Sequence, residues 1–197
     1  MYLENLVVDA AEPQRLGRFW EAALGTQRLT DEPDVFETRL LVQGGPVLDL
    51  CFQRVPEPPS APLRLHVELL GGDRAAEVAS GPIAALAFDS ADPDRDARFW
   101  SWLTGWPAVP DAEPPCLRHP SGRGPLLELR PERAPKGAVK NRRHLDVRLE
   151  AGEDADEIAA AIAARGGREV RLTDAPVPWR TYADPSGNEF CVLPARP

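Results

Sequence analysis

Two hydrophobic periods alternate along the chain. Short apolar runs, Leu6-Val7-Val8, Val47–Leu50, Leu65–Leu69, Leu126–Leu129 and Leu145–Leu149, read as strands that present alternate side chains to opposite faces. Between them lie helical patterns. Leu16, Phe19, Trp20, Ala23 and Leu24 fall on one helix face, with Glu12-Pro13 at the start and Gly25 at the end. An acid suits the positive end of the helix, proline suits its first turn, and glycine takes the left-handed turn that stops it. A later helix is expected over residues 153–165, with Ile158, Ala161 and Ile162 on one face and Gly166-Gly167 as its stop. Strands are expected to follow over 169–172, 180–183 and 190–193.

The first helical block recurs. Asp9, Pro13, Phe19-Trp20 and Gly25 return as Asp89, Pro93, Phe99-Trp100 and Gly105. The spacing of Phe19, Trp20, Phe99 and Trp100 is that of helix faces packed into a core. The repeat continues through the strands at Val47–Leu50 and Leu126–Leu129, then through Leu65-His66-Val67-Glu68 and Arg143-His144-Leu145-Asp146. It divides the chain into a truncated copy, residues 1–80, and a complete copy, residues 81–197. In the first copy only Gly71-Gly72 and a short segment precede Pro82. The truncation leaves sheet edges, which either pack on the complete copy or are completed in a homodimer.

Alternation sorts the strand residues. His144, Asp146 and Arg148 oppose Leu145, Val147 and Leu149; His66 and Glu68 oppose Leu65, Val67 and Leu69; Asp49 opposes Leu48 and Leu50. Glu128 shares a side with Leu126 and Arg130, and Cys191 shares one with Glu189 and Leu193. Each sheet thus has an apolar face for helices and a polar face that can curl into a concave ligand site.

Composition changes this picture little. The 197 residues carry 31 acidic and 23 basic side chains, a net charge of −8 that disfavours nucleic acid. The cluster Lys140-Asn141-Arg142-Arg143 reads as a solvated strand entry. No run approaches the roughly 20 apolar residues of a membrane span, and Met1–Glu4 begins no secretory signal. The 22 prolines sit between patterned segments, as punctuation. Cys51, Cys116 and Cys191 form no disulfide framework, which suits a reducing cytoplasm.

The acid-proline helix ending in Phe-Trp, the His144-Leu145-Asp146 strand and the turn Asp184-Pro185-Ser186-Gly187-Asn188 together resemble the glyoxalase/bleomycin-resistance group, the vicinal oxygen chelate superfamily, most of all its glyoxalase-like branch common in actinobacteria. The resemblance implies an α+β fold of paired βαβββ modules in tandem, the first copy truncated. It also implies metal-ligand places on the first and last strands of each module. Carried over, these fall on Ala85, Glu128, His144 and Cys191 in the complete copy, and on Asn5, Asp49 and His66 in the truncated one. Alanine cannot bind a metal, so Glu128, His144 and Cys191 remain as a set for a divalent ion, and no cofactor is certain.

Two functions follow as expectations. One is binding of a small organic molecule in a concave sheet cleft without ordinary glyoxalase I activity. Its ligand contacts would be Asp146, Asp49, His66 and the indoles of Trp102, Trp106 and Trp179, which stack well on flat molecules. The alternative is a lyase, isomerase or cyclase acting on an oxygenated small molecule, with His144 as general acid or base and Glu128 sharing its proton, with or without a divalent metal. A third reading is a structural subunit with decayed sites.

Overall fold

The acid–proline blocks start helices as the sequence implies. In the computed structural model, which describes residues 1–70, 81–172 and 176–196, α1 spans Pro13–Leu24, α2 Pro93–Thr104 and α3 Ala155–Ala164. Gly71-Gly72 lies outside the described residues. Asp92 caps α2 by accepting from the Arg95 N–H at 3.0 Å, and Asp154 caps α3 through two N–H groups. Gly25 and Gly105 close α1 and α2 with φ of 64° and 71°.

The strands are β1 (Tyr2–Ala10), β2 (Gln27–Glu32), β3 (Val35–Leu41), β4 (Val47–Arg54), β5 (Leu65–Leu69), β6 (Ile83–Ser90), β7 (Cys116–Arg118), β8 (Leu126–Pro131), β9 (Arg143–Arg148), β10 (Arg168–Glu169), β11 (Arg180–Ala183) and β12 (Glu189–Leu193). They form an eight-stranded sheet in the order β10-β11-β12-β9-β1-β4-β3-β2 and a four-stranded sheet in the order β5-β6-β8-β7. The fold is α+β.

The sheets do not follow the repeat along the chain. The first module, β1 to β4 with α1, joins the last, β9 to β12 with α3, through the antiparallel β1–β9 pair. The middle strands, β5 to β8 with α2, make the short sheet. The expected grouping of Ala85 and Glu128 with His144 and Cys191 is therefore corrected: the first two lie on β6 and β8 of the short sheet, the second two on β9 and β12 of the large one. The edge of the first copy is covered by pairing within the chain.

One core joins the two sheets. Trp100 of α2 is fully buried, stacked on Phe88 at 4.9 Å and edge-on to Phe190 at 5.4 Å. Phe88 belongs to the short sheet and Phe190 to the large one, so α2 is the wedge between them. Phe99 is buried beside it, again on Phe190. Its counterpart Phe19 differs from the expected core role: it is 63% exposed, because α1 packs on the strands of its own module and is not wedged between two sheets.

The turn before β12 locks this seam. Asp184 accepts from the Trp100 indole N–H at 3.1 Å and from the Ser186 and Asn188 backbone N–H groups. Ser186 reaches Asp96 on α2 and accepts from the Ala91 N–H. Burial, and then the nearby Asp96 carboxylate, push the Asp184 pKa up from 3.8 to about 6. The folded state thus holds this proton more tightly than the unfolded chain. The stability it contributes is present in full below about pH 4 and is lost as pH rises through about 6. Urea midpoints of the wild type are expected to fall over that interval relative to those of Asp184→Asn; a constant difference would refute the assignment.

Candidate functional site

The two polar sheet faces have become different surfaces. On the large sheet, pairing brings Asn5 beside Asp49 and Asp146, and Cys191 beside Asp146. A bulge between Leu3 and Asn5 lets both Glu4 and Asn5 reach the polar side chains of β9. The face is then filled by its own ion pairs. Arg39 on β3 donates two hydrogen bonds to Asp49, both 2.7 Å long. Arg148 and Arg196 bond Glu4, Lys140 bonds Asp9 at 2.9 Å, and the Asn5 amide donates to Asp146 at 3.0 Å. His144, Asp146 and Cys191 are all buried beneath this layer.

His144 Nε2 lies 3.4 Å from Asp146 Oδ1. Burial disfavours the imidazolium, but the Asp146 carboxylate and the Cys191 side chain outweigh it and raise the His144 pKa. The donor atoms of His144, Asp146 and Cys191 lie within 4.8 Å of one another. Two buried polar atoms of this cluster, His144 Nδ1 and Asp146 Oδ1, have no hydrogen-bond partner. An orphaned imidazole nitrogen and carboxylate oxygen beside a thiol fit a metal ion.

The short sheet is open instead. Its polar face and the segments 61–64 and 131–141 enclose a cavity of about 1070 Å³. His66 and Glu68 on β5, Asp89 at the end of β6 and Arg130 on β8 line it, with Val67, Leu63 and several prolines as apolar walls. His66 Nε2 lies 3.6 Å from Asp89 Oδ1. Arg130 is shared between Glu68 and Glu128, each 2.5 Å away, which holds the Glu68 carboxyl below its usual range. Arg133 also lines the cavity and has no ion-pair partner among the described residues.

The residues expected from sequence are thus dispersed. His66 alone among them lines the large cavity. Glu128 sits under Arg130 in the short sheet and is not brought to His144, so those two do not form an acid–base pair. Asp49 is held by Arg39, and Asp146 adjoins His144 below the surface. The three indoles lie elsewhere. Trp102 lines a groove outside α2, with the Arg165 guanidinium 4.2 Å above its ring. Trp106 is buried edge-on to His119, and Trp179 stands half-exposed just before β11. Asp89, Glu68, Arg130 and Arg133 went unselected as site residues. Alternation with His66 could have found Glu68, and the repeat of Asp9 at 89 could have found Asp89.

Paired βαβββ modules with polar concave faces define the vicinal oxygen chelate superfamily. The profile of the glyoxalase-like domain matches residues 5–81 and 85–193, and the chain belongs to that family. No curated protein is significantly similar to it in sequence. Among solved structures, glyoxalase I from Zea mays matches with a TM-score of 0.64 at 12% identity, over 98% of this chain and 92% of that one. A glyoxalase/bleomycin resistance protein from Albidiferax ferrireducens T118 matches at 21% identity and a TM-score of 0.42, over 58% of this chain and 98% of that one. No helix among the described residues is long and apolar enough to cross a membrane.

Proposed function

We propose that the protein binds a small organic molecule in the cavity over the short sheet. The observation that carries this reading is the about 1070 Å³ space lined by His66, Asp89 and apolar walls, while the equivalent face of the large sheet is packed with its own ion pairs. A few polar groups among apolar walls are the usual make-up of a small-molecule site. His66 and Arg133, which has no ion-pair partner among the described residues, offer donors to an oxygenated ligand. Ordinary glyoxalase I activity is not expected. The carried-over ligand places hold Ala85 at one position and arginine-bound carboxylates, Asp49 and Glu128, at two others.

A second reading is supported by one contact. With Asp89 Oδ1 3.6 Å from Nε2, His66 can serve as general acid or base, the carboxylate orienting the ring. This takes the role first given to His144 and places it where a substrate has access. The test is a screen of planar and oxygenated small molecules by calorimetry on the wild type and on His66→Ala. Loss of the ring's hydrogen bond should weaken any hit about three- to tenfold. Equal affinity in the two proteins would remove His66 from the site. If a hit is turned over, His66→Gln should abolish turnover and Asp89→Asn should reduce it.

A further inference from the structure

The short sheet lacks a strand that the large sheet has. Pairing with β9 covers the β1 edge of the first copy, but its other edge, β5, ends the short sheet and pairs only with β6. The counterpart of β5 in the repeat is β9, which carries β12 in parallel on its far side, with Phe190 beside Leu145. The Arg64 carbonyl accepts from the Asp89 N–H on β6. Strand alternation therefore turns the main-chain groups of Leu65, Val67 and Leu69 outward, where no strand meets them among the described residues. We propose that this edge and the adjoining face of α1 form a socket for a turn and strand of a partner protein, one carrying an acid or amide followed two places later by an aromatic residue.

The second half of the chain shows what such a segment does. Arg64 and Arg142 stand at equivalent places, just before the strand residues His66 and His144. Arg64 donates to the carbonyls of Asp89 at 3.0 Å and Ala134 at 3.1 Å; Arg142 donates to those of Asp9 at 3.0 Å and Glu57 at 2.7 Å. They differ at Nε. That of Arg64 holds Asn188 Oδ1 at 2.8 Å, whereas that of Arg142 has no partner among the described residues. The helices differ in the same way. Phe99 and Trp100 are buried on Phe190, and the Trp100 indole N–H is held by Asp184. On α1, Phe19 is exposed, Trp20 is half-exposed, and no described residue accepts from the Trp20 indole N–H.

Charge fixes the chemistry of the occupant. Arg143 shares an apolar recess with Trp20 and Val67, reaches only the Leu65 carbonyl at 3.4 Å, and has no carboxylate partner among the described residues. Trp20, Arg142 and Arg143 thus offer donors without an acceptor around an apolar recess, so the complement brings side-chain oxygens and an aromatic ring. Addition of a strand to a free edge draws affinity from the main chain and specificity from such side-chain places. By the β9–β12 register, the aromatic falls beside Val67 and the acid or amide beside Leu65. A second copy of this chain has no spare segment of this kind, because its Asp184 and Asn188 are bonded into its own seam.

A synthetic copy of residues 182–195 carrying Cys191→Ser is the probe, since that segment fills the equivalent place. Calorimetry with the full-length protein is expected to show saturable binding with one peptide per chain, and a scrambled peptide should not bind. Phe190→Ala or Asn188→Ala in the peptide should weaken binding at least about fivefold, as should Phe19→Ala or Arg142→Gln in the protein. Asn188→Ala and Arg142→Gln combined should cost less than the product of their separate effects, because they remove one contact. Phe19 is exposed, so Phe19→Ala keeps the test valid if Arg142→Gln does not fold. No saturation below about 1 mM, or affinity unchanged in Phe19→Ala, would overturn the proposal. Sedimentation should show a monomer; self-association abolished by Phe19→Ala would place a second copy in the socket and overturn the assignment to another protein.

Discussion

Trp100→Ala is expected to lower the free energy of unfolding by about 3–5 kcal/mol, the range for emptying a fully buried large aromatic site. The indole has no exposed surface and touches rings from both sheets, Phe88 and Phe190. A cavity there has no easy way to collapse, because two rigid sheets hold its walls. The indole N–H also satisfies Asp184 Oδ2 at 3.1 Å. Trp100→Phe keeps much of the ring contact and drops that bond, so it should cost about 1–3 kcal/mol. Urea unfolding followed by far-ultraviolet circular dichroism measures both. A loss below about 1 kcal/mol for Trp100→Ala would mean that α2 is not the wedge between the sheets.

Asn188→Ala should be of similar severity, about 3–5 kcal/mol, by a polar route. The Asn188 side chain is completely buried and makes four hydrogen bonds. Its oxygen accepts from Arg64 Nε at 2.8 Å and from the Asn141 amide at 3.2 Å. Its nitrogen donates to the Asp89 carbonyl at 2.9 Å and to Asp184 at 3.2 Å. Truncation removes the partner of Arg64 Nε in a guanidinium that is 8% exposed and otherwise held by Glu132, and it removes one of two donors to the Asp89 carbonyl, beside His66. The variant should therefore lose both unfolding free energy and affinity in the cavity. Unchanged stability would show that water replaces the amide at no cost.

This residue also shows what the sequence could and could not convey. The Asp184–Asn188 turn, the repeated helix starts and the alternating strand faces are local patterns, readable because each rests on neighbours in the chain. The pairing of the modules is not local. It depends on β1 meeting β9, with Tyr2 opposite Arg148, and no periodicity records which edges meet. Glu128 and His144 share one copy of the repeat, yet they sit in different sheets. β2 is mostly exposed and polar, so its pattern is weak, whereas β3 alternates buried Phe36, Thr38 and Leu40 with half-buried positions, a period-2 signal that the sequence does carry. The partner of Asp49 is not legible locally, because Arg39 meets it only through the β3–β4 pairing, and that place on the neighbouring strand is what disarms the carboxylate. The tryptophans misled because an indole suits a core, a groove and a ligand equally well.

The central claim is that ligands enter over the short sheet and not over the large one. The chain has three histidines, one in the open cavity, one in a turn and one buried under the large sheet, so their ring signals form a built-in map. Nuclear magnetic resonance titration of the protein with hits from the small-molecule screen reads that map directly. The expected result is a saturable shift of His66 with His119 and His144 unmoved. A shift of His144 with His66 unmoved would contradict the account and return the site to the large sheet.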